Sequence, residues 1–248
     1  MRPARPMPRL ETLTMTRPAA CAALIVALSG APVASTAWAA DAEHPAVVEL
    51  FQSQGCSDCP PANANLIKLT GRPDVLALSF GVTYWDQLGW RDTFASPQYT
   101  ARQWDYAHAL HHAEVFTPQV VVNGRADIVG SRPGEIEALI ARQDRGDSGP
   151  QVQVQGGAAT VAGGSAPAAA EVWMVRYDPR TIEVPIRAGE NDGRTLPHKN
   201  VVRQLVKLGA WRGGRASFTL PSASEPGLRT AVLVQAGPGG AIVAAARG

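Results

Sequence analysis

Two cysteines separated by two residues carry the most legible chemistry in this sequence. They lie in Gly55-Cys56-Ser57-Asp58-Cys59-Pro60-Pro61, after an apolar run, Val47-Val48-Glu49-Leu50-Phe51, and before a helix-like stretch, Ala62 to Leu69. A Cys-x-x-Cys between a strand and a helix is a setting for thiol–disulfide exchange: one thiolate attacks a disulfide and the second thiol resolves the mixed species. A helix starting at Pro60 places Cys56 just before its N-terminus and Cys59 in its first turn, where free N–H groups and the helix dipole favour an anion. A thiol with a pKa of about 8.5 is only a few per cent thiolate at neutral pH, so a lowered pKa is what would activate the pair. Cys56 is expected to be the more exposed, attacking sulfur and Cys59 the resolving one.

Two other chemistries use the same sulfurs. A disulfide staple across so short a loop stabilises by roughly 2 kcal/mol, among the smallest gains a cross-link gives. A thiolate pair also suits Cu(I) or zinc, but structural zinc takes four ligands. None of His44, His108, His111, His112 and His198 stands at the spacing of a second ligand pair. Metal: none is therefore the first expectation, with Cys56 and Cys59 as the copper alternative. No cofactor motif is present.

The N-terminus bears on which cysteines matter. Arg2, Arg5, Arg9 and Arg17 make a basic start, Ala19 to Val33 is apolar but short for a bilayer, and Ala37-Trp38-Ala39 fits a small-x-small cleavage site. Residues 1–40 read as an export signal, with Met15 as an alternative start and a retained anchor as the competing reading. A periplasmic or secreted protein follows, with no stable membrane span after signal removal. Cys21 leaves with the signal, so Cys56 and Cys59 can pair only with each other or with another protein in an oxidising compartment. The net charge of +2 over 248 residues points to no nucleic-acid partner.

Stepping along the chain, Val47–Phe51 and Asp74–Phe80 read as buried strands, with a helix between them ended by Gly71. Tyr84 to Phe94 is aromatic-rich and irregular. Ser96 caps a helix reaching about His112, Gln119–Val122 and Ala126–Val129 form a hairpin through Asn123-Gly124, and Arg132–Arg145 is a last helix. The order is β-α-β-α-β-β-α over residues 41–147. The stretches 146–149 and 156–170 are rich in Gly, Ala and Ser and suggest a boundary near 147. Seven or eight short strands follow over 148–248, as in a small antiparallel β-sandwich.

Residues 46–145 resemble the thioredoxin superfamily, through Gly55-Cys56-Ser57-Asp58-Cys59-Pro60 and Thr117-Pro118. More narrowly, the mature chain resembles a secreted, thioredoxin-like family of unknown function (DUF 1223). The matching stretches are Val48–Pro61, Tyr84–Asp92, Phe116–Gln119 and Gly193–Val202. The resemblance implies an α/β thioredoxin-like domain, a redox-active Cys56–Cys59 disulfide, and a cis Thr117–Pro118 bond beside it that leaves the strand start open to an extended substrate. Gly55 stands where thioredoxins carry tryptophan, and Leu50 where they carry an acidic strand residue. Glu49, one residue back, is a candidate proton acceptor for Cys59 or else a salt-bridged strand carboxylate. Trp85, Trp90 and Asp86 are candidate substrate contacts, or else a packed insertion. His198 and Lys199 form a small polar site or a structural turn.

Asp58 lies between the cysteines, and its charge disfavours a neighbouring thiolate. A destabilised reduced form makes a more reducing pair. The expectation is an exported thiol–disulfide oxidoreductase acting on cysteine-containing envelope proteins or a redox partner. The alternatives are a copper-binding protein and a non-catalytic interaction module.

Overall fold

The computed structural model describes Met1, residues 40–165 and residues 170–248. The signal expected over residues 1–40, Cys21 included, thus falls outside the described residues but for its two ends. The β-branched and aromatic run before the cysteines forms β1 (Ala46–Gln52), buried at every position as a central strand must be. Helix α1 (Cys59–Leu69) begins at the second cysteine, with Pro60 and Pro61 in the first turn, where a missing N–H leaves no bond unmade. Strand β2 (Val75–Gly81) lies parallel to β1. A 3-10 turn at Asp86–Leu88 precedes α2 (Pro97–Ala109), whose first turn is capped by Ser96 accepting from the Gln98 N–H.

Strands β3 (Gln119–Val122) and β4 (Ala126–Val129) form a hairpin whose tip, Asn123 and Gly124, has positive φ at both residues, as a type I′ turn requires. Gly124 also has no room for a side chain: a Cβ there would lie 2.3 Å from the Gly240 carbonyl oxygen. Helix α3 (Pro133–Arg142) follows and ends three residues before the expected Arg145.

The remaining strands are β5 (Gln151–Gln155), β6 (Ala158–Ala162), β7 (Ala170–Asp178), β8 (Ile182–Pro185), β9 (Thr195–His198), β10 (Val201–Trp211), β11 (Ala216–Thr219), β12 (Arg229–Gln235) and β13 (Ile242–Arg247). Strand β6 occupies a stretch that composition reads as linker. Gly156 and Gly157, both at positive φ, turn the chain tightly, and Ala159 and Val161 are the alternate residues that become buried.

The composition break near residue 147 marks no break in the sheet. Eight strands lie in the order β13-β12-β7-β10-β2-β1-β3-β4, so four strands from each side of that point share one sheet. The seam is a single parallel pairing of Val201 in β10 with Ser79 in β2, with Asn200 holding it by donating its side-chain amide to the Ala77 carbonyl. Strands β11-β6-β5 form a second sheet, and Ala159 and Val161 pack with Val172, Val232, Val234 and Trp211.

Alternation along β1 sorts the core. Val48 and Leu50 face Ala62 and Leu66 of α1 and Ile136 and Leu139 of α3. Val47 and Phe51 face Tyr99 and Tyr106 of α2, in a cluster that includes Val175, Val202 and Leu233 from the later strands. Within that second layer lies a buried ion pair. Arg102 of α2 donates to both Glu49 oxygens, at 2.8 and 3.1 Å, to the Tyr106 hydroxyl at 2.8 Å and to Gln235 of β12 at 3.1 Å. Burial opposes its charge, but the adjacent Glu49 carboxylate, with Tyr106 and Asp105, outweighs this and holds the guanidinium pKa above its ordinary value.

Removing one partner leaves a buried charge uncompensated. Arg102→Met should cost about 3–5 kcal/mol in urea unfolding, and the double variant Glu49→Met with Arg102→Met should recover most of that loss. Equal stabilities for the wild type and Arg102→Met would remove the pair from its structural role.

Candidate functional site

Cys56 and Cys59 are joined by a disulfide, with Cα atoms 5.4 Å apart. The Cys59 N–H bonds the Cys56 carbonyl at 3.2 Å, the tight turn that leads into α1. Asp58 is the N-cap residue but makes no side-chain capping bond, so its exposed carboxylate is left beside the pair. Both cysteines are only 1 % exposed. Cys56 is therefore not the more accessible sulfur that sequence reasoning expects.

The Thr117–Pro118 bond is cis. Pro118 stands one residue before Gln119, which pairs with Phe51 in register, so it lies beside the end of β1 from which the cysteine loop departs. Its carbonyl accepts from the Gly130 N–H at 2.9 Å, and the position of a Gly130 Cβ falls 3.0 Å from Ala62 of α1. Trp85 joins the two motifs. Its indole N–H donates to the Thr117 hydroxyl at 2.8 Å, and its Cβ lies 3.6 Å from where a Cβ of Gly55 would be.

Trp90 and Asp86 act locally. The Trp90 indole donates to the Gln54 side-chain oxygen at 3.0 Å, and Asp86 accepts the Asp92 N–H at 3.1 Å. Asp92 in turn accepts the Gln54 N–H at 2.7 Å and the Phe94 N–H at 2.7 Å. The aromatic segment is thus the scaffold that fixes Gln54 and Gly55, and Trp85 is the member nearest the cis-proline.

Glu49 is not brought to the cysteines. It lies on the α2 face of β1, bound by Arg102 and Tyr106, whereas α1 covers the opposite face. Alternation along the strand decides this: the α1 face at this level belongs to Leu50. The carboxylate takes the salt-bridged alternative.

Sequence reasoning missed a second hairpin that bonds the cysteine loop. Strands β8 and β9 form a hairpin whose own apolar side chains, Val184, Ile186 and Leu196, pack on Trp90 and Phe94. The loop between them reaches the cysteines. The fully buried Asn191 donates to the Gln54 carbonyl and the Cys56 carbonyl, each at 2.9 Å, and Glu190 accepts the Ser57 N–H at 3.0 Å. The available signal was Asn191-Asp192-Gly193, a turn sequence beside a family-matching stretch, but nothing local says what such a turn rests on.

The base of the hairpin docks on α1. Asn63 donates to the Pro197 carbonyl and to His198 Nδ1, while His198 Nε2 has no partner among the described residues. Burial pushes the His198 pKa down to about 4. Burial pushes the Asp92 carboxyl up to about 6, against the lowering effect of the Gln54 and Phe94 N–H groups. No group of three His, Cys, Asp or Glu side chains positioned for a metal occurs among the described residues, and no helix there is long and apolar enough to cross a membrane.

These two groups pull stability in opposite directions. Unfolded histidine binds a proton below about pH 6.5, whereas folded His198 resists until about 4, so its contribution is present above 6.5 and lost as pH falls. Folded Asp92 binds its proton at about 6, above the ordinary carboxyl range, so its contribution is present at low pH and lost as pH rises through 6. Each is worth up to about 3 kcal/mol. Between pH 4 and 6, unfolding curves of His198→Gln should gain stability relative to the wild type as pH falls, and those of Asp92→Asn should lose it. Parallel pH profiles for all three proteins would contradict both assignments.

The family model shows the family, and the comparisons leave activity open. A family model described as "Protein of unknown function (DUF1223)" matches residues 47–235. The crystal structure of protein AGR_C_4864 from Agrobacterium tumefaciens is similar at 31% identity and a TM-score of 0.68, over 82% of this chain and 92% of that one. HBP35 of Porphyromonas gingivalis is similar in fold alone, at 15% identity and a TM-score of 0.55, over 83% of this chain and 75% of that one. No curated protein matches. On the family model and the Agrobacterium relative together, the chain belongs to the DUF1223 family.

Proposed function

We propose that this is an exported thiol–disulfide oxidoreductase, built on a thioredoxin-like unit spanning β1 to α3, that acts on cysteine-containing envelope proteins. The observation that carries the reading is the Cys56–Cys59 disulfide at the start of α1 with the cis Thr117–Pro118 bond on the neighbouring strand, the two linked through Trp85. A staple explains the disulfide but not this setting. A cross-link chosen for stability would close a longer loop, because the constraint on the unfolded chain grows with loop length.

The exchange runs as follows in the reducing direction. The Cys56 thiolate attacks one sulfur of a substrate disulfide, forms a mixed disulfide and expels a substrate thiolate. The Cys59 thiolate then attacks the Cys56 sulfur, releases the second substrate thiolate and closes Cys56–Cys59. The substrate gains two electrons and, from solvent, two protons. A donor dithiol reverses these steps to recharge the pair. The helix N-terminus favours the Cys56 thiolate and the uncapping Asp58 carboxylate opposes it, which supports a reducing or intermediate potential over a strongly oxidising one.

The reading predicts that the purified mature chain reduces insulin disulfides with dithiothreitol as donor, that Cys56→Ser abolishes this, and that Cys59→Ser traps a mixed disulfide visible as a mass increase. Absence of exchange in the wild type would overturn it. Stoichiometric Cu(I) binding in that case would favour a copper carrier on the same sulfurs, and no binding would favour an interaction module.

A further inference from the structure

The motif around Gly193–Val202 is distant in sequence from the cysteines, and the exchange steps above give it no part. Its hairpin nonetheless bonds the backbone of the loop that carries Cys56. Asn191 spends both amide hydrogens on the carbonyls of Gln54 and Cys56, and its own oxygen is held by Arg194 at 2.7 Å. Gly189, at positive φ, lies so close to Trp90 that a Cβ there would be 3.3 Å from the Trp90 Cβ. Within the loop, Ile186 and Arg194 close the base at 2.8 Å, and Gly193 bonds back to Ile186 at 3.1 Å. It is a self-supporting loop, seated on the Gln54–Gly55 and Cys56–Ser57 peptides.

Glu190 adds a charge to that loop. Its carboxylate takes the N–H of the peptide that joins Cys56 to Ser57, only a few covalent bonds from the Cys56 sulfur. The Ser57 hydrogen bonds hold the Glu190 pKa below its ordinary value, so it is an anion at neutral pH. The charged side chains on the segments that meet the cysteine loop are Asp58, the N-cap of α1, Asp86, Arg91 and the buried Asp92 in the aromatic segment, and Arg187, Glu190, Asp192 and Arg194 on the hairpin loop; Asp92 and Glu190 bond its backbone directly. With the disulfide closed, the Cys56 sulfur a few covalent bonds from that N–H is neutral. With the pair reduced, a Cys56 thiolate would put a second negative charge on the loop that the Glu190 carboxylate is bonded to.

We infer that the β8–β9 loop is a working part of the redox site, with Asn191 holding the disulfide covered and Glu190 disfavouring the Cys56 thiolate beneath it. This rests on the exchange reading above. Reduction then weakens the seat of the cover through like-charge repulsion, and a protein substrate reaches Cys56 by replacing Asn191 at the two carbonyls. Opening the disulfide takes two electrons and two protons from a dithiol, which leaves as its own disulfide.

Two variants separate the parts. Asn191→Ala removes the two amide bonds, and dithiothreitol should reduce its disulfide at least about tenfold faster than in the wild type. Glu190→Gln keeps an acceptor for the Ser57 N–H but removes the charge, and the exposed site makes loss of the fold no concern. Its reduced form should be favoured by about threefold in equilibrium with glutathione, and its Cys56 should react with iodoacetamide about threefold faster at neutral pH. Hydrogen exchange at the Ser57 amide checks that Asn191→Ala opens the loop and leaves the rest folded. Wild-type reduction rates in Asn191→Ala, or a wild-type glutathione equilibrium in Glu190→Gln, would overturn the inference even if insulin reduction proceeds. Faster reduction and the shifted equilibrium without insulin reduction in any form would leave the cover standing and overturn the function.

Discussion

A buried guanidinium organises this fold. Arg102 is shielded from water and keeps its charge, so its donors must all be answered, and the answers come from three elements far apart in sequence: Glu49 of β1, Tyr106 of α2 itself and Gln235 of β12. The rings of Tyr106 and Trp173 lie 5.1 and 5.7 Å from it, which adds aromatic faces to the carboxylate. Such a group tolerates few alternative packings, because any arrangement that strands it is penalised heavily. With it in place, α2 is fixed against the sheet, the later strands are fixed against α2, and one face of β1 is committed. The other face is left for α1 and the cysteines.

That division explains how much could be read from sequence. Local codes are readable because their causes are local: β-branched residues in β1, Ser96 before Pro97, the Asn123-Gly124 turn, and two prolines in the first turn of α1. The cysteine pair is readable for the same reason, since its spacing and its neighbours are contiguous. Glu49 is not, because its role depends on which face of a strand it takes, and only the partner across the core, Arg102, decides that. The sheet is the larger case. A run of Gly, Ala and Ser near residue 147 looks like a linker by composition, yet strand pairing is set by long-range register, and a single Val201–Ser79 bridge joins what composition divides.

The cysteine site shows the same long-range logic on a smaller scale. Gln54 serves as a hub: its backbone answers Asp92 and Asn191, and its side chain answers Trp90 and Thr93. Three stretches separated by dozens of residues thereby meet on one short loop. The aromatic segment stiffens that loop from one side and the β8–β9 hairpin closes it from the other. The two sulfurs thus sit on a loop whose shape is set by residues distant in sequence.

The mixed strand order has a consequence for how the chain is made. A ribosome delivers β1, α1, β2, α2, β3, β4 and α3 first, and at that moment β2 has an open edge and Phe51, Phe80 and Tyr106 lack the later strands that complete their layer. Gln235, the last partner of Arg102, emerges near the end. The nascent half must therefore hold an unpaired edge until Val201 of β10, about sixty residues beyond α3, and an incomplete apolar layer until β12, about ninety residues beyond it. During synthesis the chain is committed to holding the edge of β2 open for β10.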